Sequence, residues 1–373
     1  MTLRYPDFAP DILALFAERK VEQVDVPIIQ PADPFLDMAG EDLRRRIFLT
    51  ESETGESLCL RPEFTIPVCL DHIAKDAETP RRYGYLGEVF RQRREGGSEF
   101  FQAGIEDLGE ADTAAADARS VADAHALLAR VLPQHILDIT LGDQAVFEAV
   151  LAALGLPRGW QKRLARAFGS PEMLETALAD LADPASNGEL PADLARLVNA
   201  GDDSPLAAHI AKQMKATGIS PSAGRSPEEI ARRLREKAEL ANVRLPETAF
   251  AALKEFLAIR VPLEQAPCRL AEFAAGAGIG LGSALDNFIA RAKEIGRQGL
   301  PVDGIHYDAA FGRPLDYYTG LVFEISTPGL DRPLVGGGRY DRLLTLLGAE
   351  SPIPGVGFSV WLDRIEALRE GSA

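Results

Sequence analysis

The sequence predicts an α+β fold in which a mainly antiparallel sheet, supplied by both ends of the chain and flanked by helices, is interrupted by an all-α insertion. Three observations predict it. Short runs rich in Thr, Tyr, Phe, Val and Ile, bounded by Gly, Pro and Asp, recur up to residue 142 and return after residue 300. Between them the chain is rich in Ala, Leu and charged residues at helical spacing. Pro and Gly breaks near 155–157, 184–191, 218–227 and 262–267 cut that middle stretch into helix-sized pieces. Residues 1–142 and 300–373 are thus assigned to the sheet-bearing core and 143–299 to the helical insertion.

The elements follow in order. Residues 7–20 place Phe8, Ile12, Leu15 and Phe16 on one helical face, with Asp11 near the start. Strand-like runs come next at 47–52, 57–62, 81–91, 99–109 and 136–142, with a helix over 112–131 where Ala, Val and Leu recur at three and four. In the insertion, 227–243 and 249–259 read as helices. Beyond residue 300 the runs 304–311 and 316–326 read as strands, and 332–348 and 355–370 each as a strand or Gly-rich turn leading into a helix. GAGIGLG at 276–282 has the glycines of a dinucleotide loop but follows no strand, so it is read as a helix connection.

Composition excludes several classes. With 46% hydrophobic and 26% charged residues, the chain is neither disordered, collagenous nor built on disulfides. A formal charge of −16 opposes general binding of phosphate backbones. Cys59, Cys69 and Cys268 are too few and too widely spaced for a disulfide framework, and point to free thiols in a reducing compartment. No apolar run approaches the ~18 residues of a membrane span, and the first residues lack a signal-peptide core. A cytoplasmic protein with no membrane partner is expected. Cys59, Cys69 and His72 lack the paired spacing of a zinc site, while His125, His135, His209 and His306 are scattered, so no metal and no cofactor are expected.

Four segments carry a resemblance. Leu60 to Thr65 reads LRPEFT, Gly87 to Arg91 reads GEVFR and runs on through Gln102 to Glu106, Arg313 to Tyr318 reads RPLDYY, and Gly337 to Asp341 reads GGRYD, followed by Gly355 to Phe358 and Asp363–Arg364. In this order they resemble the catalytic core of histidyl-tRNA synthetase, which implies a class II aminoacyl-tRNA synthetase-like sheet. The resemblance covers about 1–142 and 300–370.

Free histidine offers an ammonium, a carboxylate and an imidazole, and charge-assisted hydrogen bonds to such groups are the strong ones. The resemblance implies that Glu63, Thr65 and Gln102 surround the ammonium. It further implies that Glu106 accepts from an imidazole N–H, that the Tyr318 hydroxyl reaches the second ring nitrogen, and that Arg313 faces the carboxylate. Tyr340 would wall the ring, and Tyr317 belongs to the same histidine-specific motif. The plainer reading of Glu63 and Glu106, taken singly, is a pair of strand-end carboxylates matched to arginines.

The nucleotide half of the resemblance is degraded. The motif F-R-x-E, whose acid accepts from adenine, here reads Phe90-Arg91-Gln92-Arg93, and an arginine cannot accept. Trp361 stands where a glycine normally leaves room for adenosine, so the indole is expected to fill that slot. Arg91 and Arg364 remain and are expected to serve as ion-pair partners. The sequence stops at Ala373, nine residues past Arg364, with no anticodon module, so no tRNA binding is expected. The basic runs Arg44–Arg46, Arg91–Arg94 and Arg232–Arg235 read as solvated faces.

A histidine pocket without an ATP pocket resembles one family more closely, the regulatory subunits of ATP phosphoribosyltransferase. Pro62 to Pro67 and Tyr318-Thr319-Gly320 support that likeness. It implies a non-catalytic chain serving the first step of histidine biosynthesis, with a short-form catalytic subunit as partner, histidine as effector, and a homodimer within a hetero-oligomer. The alternative is a stand-alone synthetase-like ligase that activates histidine or a related amino acid with ATP. A scaffold with a vestigial pocket is a further one.

Overall fold

The structure is a computed structural model and describes residues 4–38, 41–93, 97–182, 191–200, 203–217, 226–240, 245–301, 304–313, 315 and 317–371. Pro314 and Asp316 of the RPLDYY motif and Arg94 of the basic run lie outside them.

The first part of the chain runs α1 (Ala9–Glu18), β1 (Glu22–Gln23), β2 (Ile29–Pro31), α2 (Asp33–Met38), α3 (Glu41–Arg44), β3 (Leu49–Glu51), β4 (Ser57–Leu60) and α4 (Thr65–Ala74). It continues through β5 (Arg81–Phe90), β6 (Glu99–Leu108), α5 (Thr113–Val131) and β7 (Asp138–Asp143). The middle holds α6 (Gln144–Ala153), α7 (Arg158–Ala167), α8 (Pro171–Ala182), α9 (Ala192–Asn199), α10 (Asp203–Thr217), α11 (Pro227–Leu240) and α12 (Glu247–Leu257). After these come β8 (Arg260–Pro262), α13 (Ala266–Gly276) and α14 (Gly282–Gly296). The last part is β9 (Ile305–Asp308), β10 (Leu321–Ser326), β11 (Val335–Arg339), α15 (Leu343–Leu346), β12 (Gly355–Trp361) and α16 (Leu362–Gly371).

Nine strands form one sheet in the order β1-β5-β6-β12-β11-β10-β7-β9-β8, and β2-β4-β3 form a second, small one. Only β1/β5 and β7/β9 pair in parallel, so the sheet is mainly antiparallel and drawn from both ends of the chain. Period-two alternation sorts its side chains. Phe101, Ala103 and Ile105 of β6, with Phe358 and Val360 of β12, join one apolar cluster with α1, α5 and α6. The opposite face meets α4, α15 and the small sheet in a second cluster holding Cys59, Tyr317, Tyr318, Tyr340 and Trp361.

The middle stretch differs from expectation in two ways. It is not all-α, because β8 pairs with β9 at the sheet edge. Nor do its helices stand apart: Phe147, Trp160, Leu174, Phe256, Phe273 and Phe288 belong to the same apolar cluster as the sheet. A three-residue strand gives too short a run for periodicity to reveal. Among the described residues α9–α11 have a small core of their own, around Leu206, Ile210 and Ala231. The 276–282 glycines do connect two helices, with Gly278 and Gly282 at positive φ between α13 and α14.

Candidate functional site

A cavity of about 100 Å³ opens on the face of β6, β11 and β12 that meets the second cluster. It is placed by register. Trp361 lies opposite Gln102, Ser359 opposite Gly104 and Gly357 opposite Glu106, while Gly336 and Gly338 of β11 face Ser359 and Gly357. These alternate residues share one face of the sheet. Their small size matters at two positions. A Cβ on Gly357 would overlap the Glu106 carboxylate, and one on Gly336 would overlap the Arg313 guanidinium. Both side-chain ends therefore lie flat on the backbone.

Seven of the eight expected histidine-site residues line the cavity: Glu63, Thr65, Gln102, Arg313, Tyr317, Tyr318 and Tyr340. The eighth, Glu106, sits one layer behind, its Oε1 accepting from the Thr65 hydroxyl at 2.7 Å and its Oε2 from the Tyr340 hydroxyl. Glu63 also has a local task. It accepts from the backbone N–H of Thr65 (2.7 Å) and Ile66 (3.0 Å), the first turn of α4, where a carboxylate meets the positive helix end. Neither acid is matched to an arginine within ion-pair distance among the described residues, so the reading of structural Glu–Arg pairs does not hold.

Burial is the largest influence on both carboxyls. It pushes Glu106 up to about 8 against the pull of Tyr340 and Thr65. It also raises Glu63 against the two backbone N–H bonds. Gln102 is wholly buried, and among the described residues neither its amide nitrogen nor its oxygen has a partner. Arg313 pairs with Glu324 at 3.6 Å, and its Nε has no partner among the described residues.

The four residues assigned to a degraded ATP site divide. Arg91 and Trp361 line the cavity. Arg93 does not, and its Nη1 pairs with Asp363 at 2.7 Å while its guanidinium lies 3.5 Å from the Phe100 ring centroid. The indole of Trp361, 7% exposed, has the Arg364 guanidinium at 4.3 Å and that of Arg313 at 5.7 Å from its ring. Arg91 and Arg364, expected in ion pairs, instead donate to the carbonyls of Pro62 (2.6 Å) and Pro333. Desolvation lowers both, to about 10. Backbone carbonyls were invisible to a reading that matched charges to charges.

Sequence reasoning missed Leu43, Arg46, Leu315, Gly336, Gly357, Phe358 and Ser359 in the lining. Counting back in twos from Trp361 finds Ser359 and Gly357. Arg46 had no such signal, since it was read as part of a solvated basic run. A wider hollow of about 390 Å³ lies over Arg19, Arg82 and Arg119. These arginines are already paired with Asp107 and Asp123. Among the described residues no group of three or more His, Cys, Asp or Glu could hold a metal ion, and no helix is long and apolar enough to cross a membrane.

Residues 4–216 and 218–365 match the family described as histidyl-tRNA synthetase. With the sheet described above, this makes the chain a class II synthetase-like protein. A solved histidyl-tRNA synthetase from Nostoc is similar at TM-score 0.65 and 15% identity, covering 100% of this chain and 76% of that one. A structure from Bacillus halodurans, titled an ATP phosphoribosyltransferase regulatory subunit/histidyl-tRNA synthetase, gives TM-score 0.63 at 20% identity over 98% and 80%. Those likenesses speak for the fold alone. Two relatives described as ATP phosphoribosyltransferase regulatory subunits are far more similar in sequence. That of Mesorhizobium japonicum is 71% identical over 100% of both chains, and that of Chelativorans 69% over 99% of both. The chain belongs to the family of ATP phosphoribosyltransferase regulatory subunits.

Proposed function

We propose that this chain senses histidine in the cavity and passes its occupancy to a short-form catalytic subunit of ATP phosphoribosyltransferase, within a hetero-oligomer built on a homodimer of this chain. Gln102 carries the reading. A buried amide with no partner needs a ligand that both donates and accepts, and Arg313 beside it asks for an acceptor. An α-amino acid supplies the ammonium and the carboxylate, with Glu63 on the cavity wall to receive its cationic end and Glu106 one layer behind. The cavity is far smaller than the roughly 300–1,000 Å³ of sites for drug-sized ligands, which favours a small zwitterion over a nucleotide. Trp361 and the Arg93–Asp363 pair stand where the resemblance puts adenine, so adenylate formation and tRNA charging are not part of this reading.

Regulation then follows by linkage. If histidine binds one arrangement of the complex more tightly, a coupling of about 1–3 kcal/mol shifts activity several-fold to a hundredfold. Calorimetry of the purified protein with L-histidine tests the pocket. Saturable binding is expected, with no heat from adenine nucleotides, and Glu106→Ala should weaken histidine by about 1.5–3 kcal/mol. An unchanged affinity in that variant refutes the assignment. Histidine-dependent pyrophosphate exchange would instead support the ligase reading. Co-expression with a catalytic subunit, assayed with and without this chain, tests the partner.

A further inference from the structure

Glu63 lines the cavity and Glu106 lies one layer behind it, with Arg91 the opposite charge that acts on Glu63. Glu63 is 4% exposed and Glu106 0%. Thr65 joins them, giving its backbone N–H to one and its hydroxyl to the other. Among the described residues no cation stands within ion-pair distance of either acid. The arginines across the cavity are engaged elsewhere, Arg91 with the Pro62 carbonyl and Arg313 with Glu324.

The groups around Glu106 are neutral at physiological pH. They are Thr65 and Cys69 from α4, Tyr83 and Tyr85 from β5, Tyr340 beyond β11, and Tyr317 and Tyr318 before β10. From β12 it meets the backbone of Gly357. The one charge bearing on it closely is Glu63, of the same sign. Two such carboxylates in one dry site do not both ionise.

The structure also says which one yields. Glu63 accepts two backbone N–H groups that can only donate, at a helix N-terminus, and these favour its charged form. Glu106 accepts from hydroxyls alone, and a hydroxyl can equally accept a proton from it.

We propose that Glu106 is protonated in the protein alone and that the cationic group of an incoming amino acid displaces that proton, so that filling the cavity releases a proton to solvent. The proposal rests on the amino-acid reading of the site and adds to it a dependence on pH. The carboxyl O–H bond breaks, the proton passes to water or buffer, and N–H donors of the ligand take its place at the carboxylate. No bond of the ligand changes and nothing is oxidised. The pull of burial on Glu106, to about 8, has the same sense. Affinity for a cationic amino acid therefore rises with pH until Glu106 ionises unaided, and a neutral ligand gains nothing from that rise.

Calorimetry with L-histidine at about pH 7, below the titration of Glu106, in buffers of different ionisation enthalpy, reads the exchange. The expected result is release of about one proton per histidine bound, lost in Glu106→Gln, which binds more weakly. Heat that is independent of buffer, or release that survives in Glu106→Gln, overturns the proposal while leaving the amino-acid reading intact. No heat in any buffer overturns that reading and the exchange with it. Infrared spectroscopy supplies a measurement that needs no ligand. The band of a protonated carboxyl should be present in the native protein, absent in Glu106→Gln and bleached by histidine. A native protein without the band overturns the proposal by itself.

Discussion

Glu106 shows at the residue scale how burial converts an ordinary acid into a sensor of its surroundings. In the unfolded chain its carboxyl returns to an ordinary value of about 4.3, whereas in the folded protein burial holds it at about 8. Between those values the native state binds more proton than the unfolded chain, so this residue's contribution to stability is full below the lower value and is lost as pH rises through the upper one. Glu106→Gln should therefore flatten the fall in stability between about pH 5 and about pH 8. Thermal melts of both proteins across that window, without histidine, measure it. Glu63 is also raised by burial and is coupled to Glu106, so the difference between the two proteins reports Glu106 together with its effect on Glu63. Equal slopes would mean that Glu106 is ionised throughout.

The element that decides the shape of the site is β12. Its Gly355, Gly357, Ser359 and Trp361 face the cavity side while Phe358 and Val360 face the large apolar cluster, and antiparallel pairing with β6 sets Gly357 against Glu106. A methyl group at Gly357 would run into that carboxylate and, less closely, into the Ile105 carbonyl. Gly357→Ala should cost about 1–3 kcal/mol of stability, as overpacking does in a dense core, read as a lowered urea midpoint. Glu106→Ala removes the closest of the clashing atoms and leaves only the Ile105 carbonyl, so the double variant should lose less than the sum of the two. Strict additivity would show that the two residues do not touch. Four residues along, the same strand ends in an indole where the resemblance expected a glycine, and so one strand both admits Glu106 and places Trp361 against Gln102.

At the scale of the whole molecule, Asp117 ties the parts together. Fully buried on α5, it accepts from Arg291 of α14 at 2.5 Å and from Arg339 of β11 at 2.7 Å. Arg291 reaches on to Asp143 at the end of β7, and Arg339 immediately precedes Tyr340 of the cavity. The middle stretch is thus bound to the sheet by ions as well as by apolar packing. Asp117→Ala leaves two buried guanidiniums short of a partner and should destabilise by about 3–5 kcal/mol, measured by chemical denaturation. A loss under about 1 kcal/mol would place the bond between these layers in the apolar contacts alone.

The sequence by itself determined the class of fold, the strands at 81–90 and 99–108, the long helix over 113–131 and part of the cavity lining. Those features rest on local periodicity and on motif chemistry, which are written along the chain. It also supports the expectation that Arg93 and Trp361 disfavour adenine, because residue type alone decides donor, acceptor and bulk. What only the tertiary structure decided lies across the chain. Residues 143–299 share the core of the sheet and lend it a strand, Glu106 is held by hydroxyls and no arginine, and Arg91 and Arg364 turn to carbonyls. A partner's identity depends on which distant backbone arrives within 3 Å, and burial on everything packed above it, so neither is present in any single stretch of sequence.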